Sequence, residues 1–142
     1  MTGEVTMKFL FASDSFKGTL SSEQIITLLD AAAKNVFPDC ETMGIPVADG
    51  GEGTIDAVIS GLHGSIYEVD VHGPLMEEVV SRYGETGNGA AVIEMAAASG
   101  LPMVPVDKRD PRVTTTYGTG ELIKTALDRG CRDITIAIGG SA

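Results

Sequence analysis

The residues best able to do chemistry stand in four loops that are rich in glycine or hydroxyl groups and follow apolar runs. The loops span Asp14–Gly18, Asp49–Thr54, Thr114–Gly120 and Gly139–Ser141. Glycine lets a backbone approach its ligand closely, and the N–H groups at the start of a following helix attract negative charge. The loops therefore predict sites for an anionic ligand, although an ordinary helix start explains Thr114–Gly120 equally well.

Lys17 is the most suggestive basic residue, because basic residues are scarce and it follows the end of a predicted strand. A point charge there suits phosphate neutralisation; the alternative is an exposed lysine with Asp14 as its neighbour. Asp14, Asp49 and Glu52 supply hard oxygen ligands or a proton acceptor. Mg²⁺ takes one or two carboxylates together with substrate phosphates, so this supply is adequate for it. For Asp49 and Glu52 the alternative is a helix N-cap.

Several common site motifs are absent from the sequence. Neither Gly-x4-Gly-Lys-Ser/Thr nor Gly-x-Gly-x-x-Gly occurs, which excludes the usual P-loop and weakens a dinucleotide-binding interpretation. No His-x3-His or Cys-x2-Cys pair offers zinc ligands, and Ser141 lacks the Gly-x-Ser-x-Gly setting of a serine hydrolase. A nucleotide-dependent oxidoreductase is therefore a disfavoured alternative, and a non-catalytic phosphate- or anion-binding module stays open.

The elements that must position these loops are predicted from hydrophobic spacing. The first part of the chain gives a strand at Met7–Ser13, a helix that opens on Ser21 and Gln24 and ends at Pro38, a strand at Met43–Ala48 and a helix at Ile55–Leu62. The alternation of strand and helix is typical of a parallel α/β sheet with crossover helices.

The pattern changes further along the chain. Three short strands joined by turns predict an antiparallel meander, and a helix and a last strand follow: Glu68–His72, Glu78–Tyr83, Ala90–Ala97, Glu121–Arg129 and Asp133–Ile138. We place a boundary near residues 64–74, which predicts an N-terminal domain at 1–66 and part of a second, mixed α/β domain at 67–142.

Composition limits the partners of the protein. The net charge of −10 and pI near 4.4 argue against nucleic acid or an anionic membrane surface as a partner. An anionic ligand needs a local site with its own donors or a metal ion. The apolar runs are too short to cross a bilayer, and Cys40 and Cys131 are interpreted as thiols in a reducing cytosol. We therefore expect a soluble, cytoplasmic protein.

The C-terminal sequence predicts a truncated chain. A β-branched strand runs into Gly139-Gly140-Ser141-Ala142, and the helix that usually follows such an anion-binding turn is missing. A fragment of this kind would expose sheet edges and apolar faces, so we expect it to be poorly soluble or self-associating.

Five sequence blocks, in order, resemble the glycerate kinases of the bacterial type I family. The blocks are Asp14–Gly18, Ala48–Thr54, Glu94–Leu101, Thr116–Ile123 and Ile138–Ala142, and the likeness runs from Met7 onward. Members of that family are longer, and their last block continues into Thr-Asn-Asp. The resemblance implies two α/β domains, one Rossmann-like and built from both chain ends, with the active site between them. It also implies transfer of the ATP γ-phosphoryl group to D-glycerate, giving 2-phosphoglycerate, with Mg²⁺.

Residue chemistry suggests a role for each group in such a reaction. Asp49 would orient or deprotonate the attacking hydroxyl and Lys17 would neutralise phosphate charge, so these two are the candidate catalytic residues. Asp14 and Glu52 are candidate ligands of Mg²⁺ or its waters. The remaining predicted site residues would bind substrate or phosphate: Ser15, Gly50, Gly51, Gly53, Thr54, Gly139, Gly140 and Ser141. Homo-oligomerisation is left open.

Overall fold

The computed structural model describes residues 6–16 and 18–142, so the predicted phosphate ligand Lys17 lies outside the described residues. By its internal contacts the chain forms two compact units, one ending at Ala48 and one spanning Asp49–Ala142. The first contains a two-stranded sheet and the second a four-stranded sheet. The domain limits 1–66 and 67–142 stay a prediction for the complete protein.

The first unit is a strand–helix–strand crossover. It consists of β1 (Lys8–Ser13), α1 (Ser22–Val36) and β2 (Glu41–Pro46). The two strands pair in parallel, with Lys8 opposite Glu41 and Ser13 opposite Pro46. The parallel pair and its crossover helix were predicted; β2 begins and ends two residues earlier than expected.

A capping box starts α1 at Ser21, as its sequence predicts. The Ser21 hydroxyl accepts the Gln24 N–H at 3.2 Å, and the Gln24 side-chain oxygen accepts the Ser21 N–H at 2.9 Å. Two N–H groups that the helix itself cannot pair are thereby satisfied. At the other end, the N–H of Phe37 donates to the Ala33 carbonyl, and the helix ends at Val36, two residues before Pro38.

The second unit is built on a mixed sheet. Its elements are α2 (Thr54–Leu62), β3 (Ser65–His72), β4 (Glu78–Glu85), β5 (Ala90–Glu94), α3 (Met95–Ser99), α4 (Tyr117–Asp128) and β6 (Asp133–Ala137), with short 3₁₀ turns at Leu101–Met103 and Val106–Lys108. The strand order is β3-β4-β5-β6, antiparallel at the first two pairings and parallel between β5 and β6. The predicted antiparallel meander is confirmed.

Helices cover β5 on both faces. Ile93 packs with Leu122 and Ala126 of α4 in the main core, whereas Val92 packs with Ile55 and Ile59 of α2 in a smaller cluster. Because successive side chains of a strand point to opposite faces, one apolar strand serves both cores. This arrangement fixes the start of α2 beside the carboxyl end of β5.

At two places the type of element differs from the prediction. The run Ala90–Ala97 is not one strand, because β5 ends at Glu94 and α3 begins at Met95; alanine, which dominates α3, is the strongest helix former. The segment Thr114–Gly120 is not all loop, because α4 begins at Tyr117. Gly118 allows this, since a Cβ there would lie 1.8 Å from the His72 carbonyl oxygen.

Candidate active site

The end of β1 carries the predicted residues Asp14 and Ser15 in the first unit. The Asp14 carboxylate accepts the Ser15 N–H at 2.7 Å, and the Ser22 hydroxyl donates to the Ser13 carbonyl. The Ser15 hydroxyl oxygen is buried and has no hydrogen-bond partner within the described residues. Leaving a buried hydroxyl without a hydrogen-bond partner costs free energy, so the packing of the first unit alone does not explain a serine at position 15.

The loop Asp49–Thr54 closes on itself in the second unit. The Gly51 N–H donates to the Asp49 carboxylate at 2.9 Å, and the Thr54 hydroxyl donates to the Gly51 carbonyl at 2.8 Å. Gly50 and Gly53 both have φ near +90°, a conformation that side-chain-bearing residues rarely adopt. The loop therefore holds the exposed Asp49 carboxylate in a defined orientation at its start.

The segment Gly139–Ser141 lies directly against that loop. The Gly139 N–H donates to the Gly50 carbonyl at 2.8 Å, and a Cβ on Gly139 would lie 2.8 Å from the Gly51 nitrogen. The segment also pairs with the chain after α3, where the Leu101 N–H donates to Gly140 and the Ala142 N–H to Ser99. Two glycine loops, separated by almost the length of this unit, thus meet backbone to backbone.

The structure accordingly unites most of the predicted site in the second unit. Asp49, Glu52 and the predicted phosphate-binding residues of both loops belong to it: Gly50, Gly51, Gly53, Thr54, Gly139, Gly140 and Ser141. Asp14 and Ser15 belong to the first unit. In the part of the chain that the structure describes, no three His, Cys, Asp or Glu side chains are grouped so as to hold a metal ion.

Glu94 is a site residue to which sequence reasoning gave no role. It is the last residue of β5, is 4% exposed, and its carboxylate accepts the Ile55 N–H at 2.7 Å. Burial raises the pKa of the Glu94 carboxyl, whereas the Ile55 N–H and the positive charge of Arg82 oppose that rise. The available signal was a carboxylate that interrupts the apolar run Ala90–Ala97, at the first position of the third resembling block.

A cavity of about 360 Å³ adjoins the same end of the sheet. Glu52, Arg82 and Glu94 give it charged walls, and Met103 and Pro102 are among its apolar lining residues. The Arg82 guanidinium makes two hydrogen bonds to Asp56 of α2, at 2.9 and 2.6 Å. Bidentate pairing of this kind fixes the guanidinium plane, so the cavity has one ordered wall.

The third predicted loop, Thr114–Gly120, leads into a helix that contacts β3. The Glu121 carboxylate of α4 accepts the backbone N–H of His72 at 2.7 Å, and one of its oxygens lies 3.0 Å from His72 Nδ1. The hydrogen bond from the His72 N–H is the main cause of the lowered pKa of Glu121. These contacts join the first turns of α4 to β3, which favours the helix-start interpretation of Thr114–Gly120.

No helix among residues 6–16 and 18–142 combines the length and apolar character needed to span a bilayer. Both cysteines are free thiols, Cys131 buried and Cys40 partly buried.

Known proteins are similar to this chain over nearly its whole length. The sequence model of the glycerate kinase family matches residues 9–142. Glycerate kinase from Bacillus subtilis (strain 168) is 52% identical and glycerate 2-kinase from Escherichia coli (strain K12) 49% identical, each over 137 residues. Those residues are 96% of this chain but 36% of each relative, so the chain spans little more than a third of their length.

A solved structure agrees with the fold. A crystal structure described as glycerate kinase 2 from Salmonella typhimurium LT2 superposes with a TM-score of 0.77 at 46% identity, covering 96% of this chain and 37% of that one. The α/β architecture, with its parallel pair and mixed sheet, is therefore shared with a protein of that description. Family match, sequence identity and superposition agree, and the chain belongs to the glycerate kinase family.

Proposed function

We propose that the complete protein transfers the γ-phosphoryl group of ATP to D-glycerate and forms 2-phosphoglycerate. The observation that carries the proposal is the packing of Gly50 and Gly51 against Gly139 beside the Asp49 carboxylate. Bare backbone offers N–H donors to a phosphate at close range, and a neighbouring carboxylate can accept a hydroxyl proton. The name of the E. coli relative, glycerate 2-kinase, supports the 2-hydroxyl as acceptor.

The phosphate donors of the last loop are restricted by its internal bonds. The Gly139 N–H already donates to Gly50, so the amides of Gly140 and Ser141 are the ones we assign to phosphate oxygens. Gly140 has φ near +75°, the left-handed conformation in which successive amides can converge on an anion. We propose Lys17 as the residue that neutralises phosphate charge.

The Asp49 carboxylate is proposed to orient or deprotonate the attacking hydroxyl of glycerate. One of its oxygens accepts the Gly51 N–H, which fixes the carboxylate plane relative to the loop. The Thr54 hydroxyl has a single proton and donates it to Gly51. Thr54 would therefore receive a hydrogen bond from the substrate, or donate to a phosphate after rotating about its Cα–Cβ bond.

We propose that Asp14 and Glu52 are the residues that would hold Mg²⁺ or its waters. Both offer carboxylate oxygens, the ligands that a hard cation prefers, and Glu52 lines the cavity beside the Asp49–Thr54 loop. Bound Mg²⁺ would neutralise part of the polyphosphate charge, which matters in a protein of net charge −10. We place the reaction in the cytoplasm and leave homo-oligomerisation open.

The test is a coupled assay of ADP formation by the complete protein, with D-glycerate, L-glycerate or no acceptor. We expect ADP release that depends on D-glycerate. The product is then identified by ³¹P NMR, because phosphate on the secondary carbon couples to one carbon-bound proton and phosphate on the primary carbon couples to two. A triplet would refute the assigned position. ATP or glycerate binding without turnover would instead favour an anion-binding module.

A further inference from the structure

The start of α2 is capped by a residue from another part of the chain. The N-cap residue Gly53 has no side chain and makes no capping hydrogen bond. The Ile55 N–H instead donates to the carboxylate of Glu94, 39 residues further along the sequence. The first amides of a helix need partners, and a nearby serine or aspartate usually supplies them. Here β5 supplies the partner, so the position of α2 is tied to the sheet.

A buried carboxylate is an expensive way to satisfy one N–H group. Glu94 is 4% exposed, and removing a charged group from water costs free energy that a neutral cap would avoid. Ile55 is itself fully buried against Val92 and anchors α2 on β5 through apolar contact. Apolar packing therefore already holds α2 on the sheet. The charged hydrogen bond in addition fixes the orientation of the first turn of α2.

We propose that Glu94 is a positioning residue of the phosphoryl transfer, fixing the Asp49–Thr54 loop through the first turn of α2; this inference rests on the proposed function. The loop is held at its other side by the hydrogen bond from the Gly139 N–H to Gly50. Asp49 directly precedes the segment between these two fixed points, and its carboxylate accepts the Gly51 N–H within that segment. Displacement of a reacting group by about 1 Å can cost about 100-fold in rate, so loss of one fixed point lowers turnover.

The Glu94 side chain also occupies the start of α2. The N-terminus of α2 carries a partial positive charge, and the Glu94 carboxylate faces it. The Glu94 side chain thus fills the place that a substrate phosphate would otherwise take, and a glutamine would fill it equally. The phosphates are consequently directed to the Gly139–Ser141 side of the site, and Glu94 acts on the loop without touching substrate.

The test compares Glu94→Ala, Glu94→Gln and Glu94→Asp in the complete protein. Gln keeps an oxygen that can accept the Ile55 N–H, whereas Asp keeps the charge but withdraws the oxygen by one methylene. We expect kcat to fall about tenfold or more for Ala and Asp, with smaller changes in KM, and to stay within about threefold for Gln. Hydrogen exchange of a peptide covering residues 50–57 should accelerate for Ala and Asp but not for Gln.

Glu85→Gln is the matched control, because Glu85 is a carboxylate of the same sheet that bonds to Arg129 and not to α2. The inference is overturned if Ala and Asp keep wild-type kcat, or if kcat falls while exchange of residues 50–57 is unchanged. Should the Ala variant not fold, the contrast between Asp and Gln decides. A wild-type protein without glycerate-dependent ADP release would refute the proposed function, and exchange would still report on the Glu94 contact separately.

Discussion

Two carboxylates hold one loop from its two ends. Asp49 accepts the Gly51 N–H at the start of the loop, and Glu94 accepts the Ile55 N–H just beyond its end. Their surroundings differ, since Asp49 is exposed and Glu94 is buried. The exposed Asp49 side chain is accessible from solvent, whereas the buried Glu94 carboxylate bonds to the backbone. Of the two carboxylates, Asp49 is thereby available for the proposed reaction, and Glu94 positions the loop that carries Asp49.

Replacing Asp49 by Asn tests the first of these roles. Asn keeps the side-chain shape and an oxygen for the Gly51 N–H, but it cannot take up a proton from glycerate. General-base catalysis is commonly worth about 10²–10⁴-fold, so kcat of the complete protein should fall by at least about 100-fold in Asp49→Asn. The exposed Asp39, replaced by Asn, is the control. A variant within about threefold of wild type would remove Asp49 from proton transfer.

The buried carboxylate predicts a pH dependence of stability. Burial, and to a smaller extent Asp56, raises the pKa of Glu94, against the effects of the Ile55 N–H and Arg82. The Glu94 carboxyl therefore stays protonated to a higher pH in the folded protein than in the unfolded protein. The free energy of unfolding therefore falls as pH rises from the ordinary glutamate pKa through the raised one.

Gln at position 94 does not titrate, so the melting temperature of Glu94→Gln should rise relative to wild type between about pH 4 and about pH 8. Thermal melts of both complete proteins across that range provide the measurement. Glu78→Gln, an exposed substitution on β4, is the control. A difference in melting temperature that shrinks toward alkaline pH would contradict the assigned direction.

At the scale of elements, features that depend on neighbouring residues were predicted well, and features that depend on distant residues were not. The capping box at Ser21 lies within four residues of sequence and is formed as expected. The role of Glu94 could not be predicted, because it depends on a contact with Ile55, which is 39 residues away in the sequence. Likewise, the residues of β6 do not by themselves predict that β6 pairs with β5 in parallel. The parallel pairing is possible because α4 connects the two strands as a crossover helix.

Two glycines of α4 differ in whether their surroundings leave room for a side chain. A Cβ on Gly118 would meet the His72 carbonyl oxygen at 1.8 Å, whereas one on Gly120 would have no atom within 4 Å. Gly118→Ala should therefore destabilise by about 1–3 kcal/mol through overpacking. Gly120→Ala should stabilise by about 0.5–1 kcal/mol, because alanine loses less backbone entropy in a helix.

Thermal or denaturant unfolding of the complete protein measures both changes, with each variant serving as the control of the other. Equal stability of the two variants would mean that α4 does not approach β3 as closely as the structure has it. Gly120 can be replaced because Gly118, two residues earlier, makes the close approach on the opposite face of the helix.

At the scale of the whole molecule, charge and apolar surface act in opposite directions. The net charge of −10 keeps copies of the chain apart. The first unit nevertheless exposes apolar side chains that lie side by side on its strands, Leu10 opposite Met43 at 62% and 63% exposure, with Ile45 next along β2 at 45%. Adjacent apolar groups of this kind favour association with another surface.

Residues 1–142, produced alone, should therefore self-associate, and more strongly in salt. The screening length falls from about 10 Å at 0.1 M to about 3 Å at 1 M salt, which weakens charge repulsion while leaving apolar attraction in place. Light scattering after size exclusion measures the mass at each salt concentration. Met43→Glu should lower the measured mass, because it places a charge beside Leu10 and Ile45. Val106→Glu, at a 78% exposed position outside the β1–β2 pair, should lower the mass less.

A monomer with a cooperative melt at every salt concentration would refute the expected association. Equal effects of the two variants would show that net charge, and not the apolar side chains of β1 and β2, controls the association.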